Sequence, residues 1–275
     1  MHIDRDRAAR AFERYVERFD PQDPKIALKV EHTWRVADLA EKIARSLPEG
    51  ASPEYVDLAW LLGLLHDVGR FEQVRRYGTF NDAASTSHAA LGARVLFDGL
   101  DGAAPTIRDY VAAPDEDGLI RTAVALHSSW RLPQDLDART RRLCELLRDA
   151  DKIDILKVNC TCPVEDIYGF PERTLLESEL SQEAASWFWR HSTIPRAARR
   201  YPADILLGHV CFAWEMAFPQ SLAITAEQGC VFRMMERPFA RDDTRAAFAR
   251  MERHLRAAFA RMERHLRAWM EERLR

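Results

Sequence analysis

Residues 61–67 read Leu-Leu-Gly-Leu-Leu-His-Asp, an apolar run that ends directly in a histidine and a carboxylate. A helix with this sequence is apolar on nearly every side, so we expect His66 and Asp67 to be buried with it. An ionised carboxylate is costly to bury alone, and the dipole at a helix C-terminus disfavours it further. We therefore expect a cation beside Asp67, either an arginine from elsewhere in the chain or a metal ion.

Helical periodicity dominates the remaining sequence, and no convincing run of alternating, β-branched residues is found. The Ser52-Pro53 pair has the form that opens a helix, with a capping serine followed by proline. The sequence predicts an all-α protein, with helices at about residues 5–19, 25–45, 53–67, 71–76, 86–97, 118–127, 136–158, 173–190, 203–217, 219–236 and 243–274.

The composition of the 275 residues, 47% hydrophobic and 30% charged, is typical of a folded protein. The net charge of −3 indicates no general affinity for nucleic acid or anionic membranes. The longest apolar run, at 58–65, is far shorter than the ~20 residues of a membrane span. The N-terminus also lacks the apolar stretch of a signal peptide, so we expect a cytoplasmic protein.

The cysteines favour reduced thiols over a disulfide framework, because they are odd in number and sparse. They are Cys144, Cys160, Cys162, Cys211 and Cys230. The Cys160-x-Cys162 pattern by itself is a weak metal-binding signal.

An internal repeat marks the C-terminal part, where AAFARMERHLR at 246–256 recurs identically at 257–267. Eleven residues make about three helical turns, so both copies continue one apolar stripe. The stripe comprises Phe248, Met251, Leu255, Phe259, Met262, Leu266 and Trp269. Two interpretations stay open: a tandem duplication that lengthened a surface helix, or a helix through which two copies form a homodimer.

No Gly/Ser-rich linker divides the chain. The histidines and carboxylates that are candidate metal ligands, from His32 to Asp151, all precede Cys162-Pro163. We therefore predict a metal-binding helical core at 1–162. Residues 163–275 are predicted to form a helical extension that packs on this core and ends in the long helix with the repeat.

Four further potential metal ligands lie on apolar faces of predicted helices, far apart in the sequence: His32, His88, His127 and Asp151. With the His-Asp pair, they would bring imidazoles and carboxylates from five helices into one buried centre. Gly92, one turn after His88, is expected to leave room for an ion or a substrate. His209 has similar apolar neighbours but belongs to no such set, so apolar placement alone does not identify a ligand.

This order of residues resembles the HD-domain superfamily of metal-dependent phosphohydrolases over about residues 25–160. The most specific features are His66-Asp67 followed by Gly69-Arg70, and Ala-Asp-Lys at 150–152. The resemblance implies an HD-domain-like helical bundle in which one ion is held by His32, His66, Asp67 and Asp151. His88 and His127 match the extra histidines of members that bind two metals, with Asp67 as the bridge. Residues 71–73 and 77–82 also resemble a poorly characterised bacterial branch.

Imidazoles mixed with carboxylates favour Mn, Fe, Co, Ni or Zn ions over an all-oxygen Mg²⁺ or Ca²⁺ site. One or two such ions would activate water for attack on a phosphoryl group. Substrate phosphates need further cations, for which Arg70 and Lys152 are the candidates and Arg35 is a third. Arg70 can instead cap its helix, and Lys152 can be a solvated charge. We predict catalytic roles for Asp67, Arg70 and Lys152.

Three functions fit this pattern. The leading one is a phosphohydrolase that cleaves a phosphomonoester, phosphodiester or phosphoanhydride bond of a small molecule, with a nucleotide as the first candidate. The second is an oxygenase with a mixed-valent di-iron centre, which a minority of similar proteins hold. The third is a non-catalytic signalling module that binds a metal or a nucleotide. Nuclease action on a polymer is disfavoured by the negative net charge.

Overall fold

The computed structural model describes the backbone of residues 2–273 and the side chains of residues 2–262 and 264. Within this part of the chain the protein is all-α, as predicted, and no strand is formed. An isolated β-bridge joins Leu100 and Ala103. Among the described residues, no helix combines the length and the apolar character that are needed to cross a lipid bilayer.

The helices follow one another closely. They are α1 (Arg5–Val16), α2 (Pro24–Arg45), α3 (Pro53–Leu65), α4 (Val68–Tyr77), α5 (His88–Phe97), α6 (Ile107–Tyr110), α7 (Asp117–Leu126), α8 (Ala138–Thr161), α9 (Val164–Tyr168), α10 (Glu172–Leu176), α11 (Gln182–Trp189), α12 (Pro202–Val210), α13 (Pro219–Gln228), α14 (Cys230–Met235) and α15 (Asp242–Arg273). Short 3-10 helices occupy Pro48–Ala51, Asp82–Ala84, Arg196–Ala198 and Cys211–Glu215.

Side-chain caps set the beginnings of several helices. Ser52 accepts a hydrogen bond from the amide of Tyr55 at the start of α3, where Pro53 takes the first position, as the sequence predicts. Ser87 caps α5 in the same way and thereby places His88 as its first residue. The caps therefore fix the register of two helices that carry candidate ligands.

Three segments that were each predicted as one helix are interrupted in the structure. The segment 219–236 breaks at Gly229, whose φ of 63° lies in the left-handed region that favours glycine. The segment 173–190 breaks because Ser181 caps a new helix, α11. The predicted helix 203–217 ends at Val210, and a 3-10 helix follows.

The chain divides into two compact units, Met1–Asp151 and Lys152–Arg275. This division falls inside α8, whereas the predicted boundary lies one residue beyond Thr161, the end of that helix. In the first unit, α2 packs against α3, α4 against α5, and α5 against α7. These pairs bring the helices with the candidate ligands together.

The second unit has its own core, built around α12, α14 and α15. The predicted stripe of α15 is buried at Phe248, Met251, Leu255 and Phe259, and Met262 packs partly against the same core. Leu266 and Trp269 lie outside the described side chains. A homodimer through this helix stays a prediction.

Candidate metal centre

Six side chains of the first unit meet in one buried cluster. His32 lies on α2, His66 and Asp67 form the junction between α3 and α4, His88 begins α5, His127 caps the end of α7, and Asp151 lies on α8. The four histidines and Asp67 are at most 4% exposed. All six positions predicted to hold metal are thus brought together, although they span more than a hundred residues of sequence.

The first half of the cluster surrounds two imidazoles. The Nε2 atoms of His32 and His66 are 3.3 Å apart. The Asp151 Oδ1 atom lies 3.2 Å from the first nitrogen and 3.7 Å from the second, and Asp67 Oδ2 lies 3.5 Å from both. His66 donates its Nδ1 proton to the carbonyl of Gly63 at 2.7 Å, so its Nε2 atom presents a lone pair to the cluster.

The second half uses the other oxygen of the same carboxylate. The Nε2 atoms of His88 and His127 are 3.0 Å apart, and Asp67 Oδ1 lies 3.5 Å and 3.6 Å from them. The Asp67 carboxylate therefore faces two pairs of histidines, one with each oxygen. Two triplets offer donor atoms within 4.8 Å of one another: His32, His66 and Asp151, and His66, Asp67 and His127.

The tautomers of the second pair of histidines indicate that a cation belongs between them. His127 donates its Nδ1 proton to the carbonyl of Val124 at 2.7 Å, and His88 donates its own to the Asp82 carboxylate at 2.8 Å. With Nδ1 as the donor in each neutral ring, the two Nε2 atoms present lone pairs to each other at 3.0 Å, an arrangement that a cation between them stabilises. The buried Oδ1 atom of Asp67, which has no hydrogen-bond partner among the described residues, faces the same space. This donor set fits a divalent transition metal.

Two cationic side chains lie beside Asp67, as expected for a buried carboxylate. The Lys29 ammonium lies 2.7 Å from Oδ2, and the Nε atom of Arg70 lies 3.7 Å from Oδ1. Burial raises the pKa of Asp67, but the Lys29 charge and the surrounding imidazoles outweigh it and hold the pKa well below its usual range. Lys29 was missed in the sequence, although it precedes His32 by three residues and so lies on the same helical face.

Asp82 is a second residue whose role the sequence analysis did not identify. Its carboxylate holds His88 and also accepts hydrogen bonds from Arg70 and Gln73, both at 2.9 Å. Arg70 donates further to the carbonyl of Phe80 at 2.7 Å. Burial, followed by the Arg70 charge, lowers the pKa of His88 to about 3, so this imidazole is neutral and able to bind a metal. The hydrogen bonds of Arg70 and His88 to Phe80 and Asp82 thus hold the polar segment 78–87 against the cluster.

Gly92 has a different role from the expected one. Its Cα and N atoms lie against Gly69, where an added Cβ would come within 2.4 Å of the Gly92 nitrogen and 2.1 Å of the His88 carbonyl oxygen. The expectation that Gly92 leaves room for an ion or a substrate is therefore wrong. The two glycines instead let α4 and α5 approach backbone to backbone, which brings His88 towards Asp67.

The remaining predicted substrate-binding residues have partners of their own. The Lys152 ammonium, in the second unit, donates to Glu215 at 3.0 Å. Arg35 pairs with Glu31 at 3.2 Å, one turn earlier on α2. Arg70 differs from both, because its buried Nε–H finds no hydrogen-bond acceptor in the described part of the chain and faces Asp67. The roles assigned to all three on a substrate stay predictions.

Comparison with known proteins adds one match. Residues 30–157 match the model of the family described as HD domain, and this range contains all six residues of the cluster. Neither the curated proteins nor the solved structures gave a match to the chain.

Proposed function

Residues 30–157 match the HD-domain family, and from this premise we propose that the protein is a metal-dependent phosphohydrolase acting on a small phosphorylated molecule. HD domains form a superfamily of metal-dependent phosphohydrolases, and the described residues include groups that can hold a metal. The observation that carries the proposal is the Asp67 carboxylate, which directs one oxygen to His32 and His66 and the other to His88 and His127.

We propose that these six residues hold one or two ions of Mn, Fe, Co, Ni or Zn. Such ions would supply positive charge to the phosphoryl group and activate water for in-line attack on phosphorus. The protein's own hydrogen bonds orient the metal ligands. Hydrogen bonds at the Nδ1 atoms of His66, His88 and His127 aim three Nε2 lone pairs into the cluster.

The positive charges of Lys29 and Arg70, on either side of the Asp67 carboxylate, favour the binding of an anionic substrate. Lys29 and Arg70 each lie beside one carboxylate oxygen, and both flank the ring of Phe80, at 5.4 and 5.6 Å from its centroid. The unpartnered Nε–H of Arg70 can donate to a phosphate oxygen without releasing the 78–87 segment, which its Nη1 atom holds. We therefore assign substrate binding to Arg70 first and add Lys29.

Lys152 and Arg35 are kept as further substrate-binding residues in this proposal. For Lys152, contact with a phosphate requires that its ammonium leave Glu215. Nucleotides are the class of substrate that we favour, because as a class they offer ester, diester and anhydride bonds to phosphorus. A polymer is disfavoured by the net charge of −3.

The test combines metal analysis with a substrate panel. Protein loaded in turn with each of the five metals is assayed against nucleotide monoesters, diesters and anhydrides and against sugar phosphates. We expect turnover with at least one metal, loss of that turnover in Asp67→Asn, and retention in Asp98→Asn, which changes an exposed carboxylate paired with Arg121. Equal activity in the two variants would refute the assignment.

Two other outcomes separate the alternative functions. Nucleotide binding without turnover under any metal would favour a non-catalytic signalling module. A coupled, mixed-valent di-iron EPR signal in aerobically purified protein would favour an oxygenase. The metal content of His127→Gln provides a further check, with His209→Gln as its control, because His209 is a partly buried histidine that bonds to Tyr168 in the second unit.

A further inference from the structure

Two cysteines of the second unit share one guanidinium. Cys160 lies in the last turn of α8, and Cys230 is the first residue of α14. Arg233, one turn after Cys230, donates from Nε to the Cys160 sulfur at 3.0 Å and from Nη2 to the Cys230 sulfur at 3.1 Å. The Cys160-x-Cys162 pattern is therefore not the relevant pair, since the fold joins Cys160 to a cysteine 70 positions away.

The guanidinium of Arg233 is placed to stabilise a negative charge on sulfur. Within the described part of the chain, Arg233 has no carboxylate or carbonyl acceptor, and its two hydrogen bonds both end on sulfur. A neutral thiol is a weak acceptor, whereas a thiolate next to an arginine is stabilised by the charge. The Nε and Nη2 atoms lie on one edge of the guanidinium plane, so the two sulfurs lie side by side.

Burial distinguishes the two sulfurs. Cys230 is 3% exposed, and burial together with the neighbouring Cys160 raises the pKa of Cys230 to about 11. Cys230 therefore keeps its proton at neutral pH. Cys160 is partly exposed and is the sulfur that a small solute can reach. Cys162 is a matched comparison within the chain, because it is also partly exposed, but its sulfur contacts the Thr161 hydroxyl at 3.9 Å instead of a guanidinium.

We propose that Cys160 and Cys230 form a dithiol that hydrogen peroxide oxidises to a disulfide, with Arg233 as the residue that activates Cys160. The Cys160 thiolate attacks one peroxide oxygen, the O–O bond breaks, and hydroxide leaves. The Cys230 sulfur then attacks the sulfur of the resulting sulfenic acid. The S–O bond breaks, and the oxygen leaves as water with the Cys230 proton. The two cysteines lose two electrons, which reduce the peroxide to water.

Arg233 also determines the order of the two steps. While Cys160 is a thiolate, its charge disfavours ionisation of Cys230. After Cys160 has become a neutral sulfenic acid, that charge is gone, and the guanidinium faces the Cys230 sulfur alone. The second sulfur is therefore activated only after the first has reacted.

The experiment measures the reactivity of each cysteine in the full chain without added metal, so its outcome does not depend on the proposed hydrolase activity. Protein is treated with equimolar hydrogen peroxide, alkylated, digested without reductant and analysed by mass spectrometry. We expect a peptide that links Cys160 to Cys230, and oxidation of Cys160 about tenfold faster than that of Cys162. Equal rates at Cys160 and Cys162, or no linked peptide of this pair, would overturn the proposal.

Two variants separate the chemical steps. In Cys230→Ser, we expect dimedone to label Cys160 as a sulfenic acid, because the second sulfur is missing. In Arg233→Gln, the rate at Cys160 should fall to about that of Cys162, while Arg233→Lys keeps part of the acceleration. Arg233 is exposed, so both substitutions leave the core intact, which circular dichroism verifies. An unchanged rate in Arg233→Gln contradicts the role of the guanidinium.

Discussion

His88 donates its Nδ1 proton to Asp82 at 2.8 Å, and this bond directs its Nε2 atom towards His127. Asp82→Asn removes the charge that fixes this tautomer, so we expect metal affinity to fall about 10–100-fold. Titration calorimetry with Mn²⁺ or Zn²⁺ measures the change. The control is Asp98→Asn, which changes an exposed carboxylate that pairs with Arg121. If the two variants bind metal equally well, Asp82 does not orient the cluster.

Lys29 balances Asp67 within the chain itself. Lys29→Met leaves the carboxylate buried without this 2.7 Å partner. In metal-free protein, the free energy of unfolding should therefore fall by about 2–4 kcal/mol.

Added metal should restore stability in Lys29→Met, because a bound cation replaces the missing charge. Urea titrations with and without metal should show a larger metal effect in this variant than in the wild type. Lys42→Met changes an exposed lysine on the same helix and should behave like the wild type. The prediction fails if the two variants are equally stable without metal.

The close approach of α4 and α5 depends on Gly69 more than on Gly92. A methyl group on Gly69 would lie 2.1 Å from the His88 carbonyl oxygen, whereas one on Gly92 would lie 3.2 Å from its nearest neighbour. We expect Gly69→Ala to cost about 3 kcal/mol of folding free energy and to weaken metal binding, since His88 must move. Gly92→Ala should cost less than about 1 kcal/mol.

Gly118 provides the matched control for these two glycines. It lies in α7 with open space around its missing side chain. Gly118→Ala should raise the free energy of unfolding by up to about 0.5–1 kcal/mol, because alanine loses less backbone entropy in a helix. Denaturant unfolding of all three variants measures their order of stability. Equal stability of Gly69→Ala and Gly118→Ala would contradict the predicted order.

His209 should make the protein sensitive to acid independently of the metal centre. Burial, aided by the Arg199 and Arg196 charges, lowers the pKa of His209 to about 3. Below the ordinary histidine pKa of about 6.5, protons bind the unfolded chain but not folded His209, so stability falls as the pH drops from about 6.5 towards 3. At pH 5.5 this loss amounts to about 1.4 kcal/mol.

In His209→Gln this contribution disappears. The difference in free energy of unfolding between pH 7.5 and 5.5 should therefore be smaller in the variant by about 1.4 kcal/mol. Chemical denaturation at both pH values measures it. His2→Gln, at an exposed position, should keep the wild-type difference. An equal pH dependence in wild type and His209→Gln would show that the imidazole is protonated in the fold.

The sequence was sufficient to predict the helical class and to find the six clustered residues. Helical spacing tells which face of a helix is buried, and each of these residues lies on such a face. Lys29 was missed because a lysine on an amphipathic helix is usually solvated, and its ion pair depends on a partner 38 residues away. Asp82 was missed because its role arises only when the 78–87 segment folds back onto α4.

The error about Gly92 has a comparable origin. A small residue near a functional histidine is compatible with both a cavity and a close backbone contact, and the sequence contains no information on which neighbour occupies the space. The helix breaks at Ser181 and Gly229 were visible as capping residues, but the apolar periodicity on both sides concealed them.

The two identical 11-residue segments of α15 each bury a phenylalanine in the second unit. Phe248 stacks on Phe239, and its counterpart Phe259 packs edge to face on Phe232. Eleven residues rotate an ideal helix by only about 20° beyond three full turns. Gain or loss of one such segment therefore alters the reach of this helix while its buried surface stays chemically the same. The length of the C-terminal helix can in this way vary in evolution without a compensating change in the core.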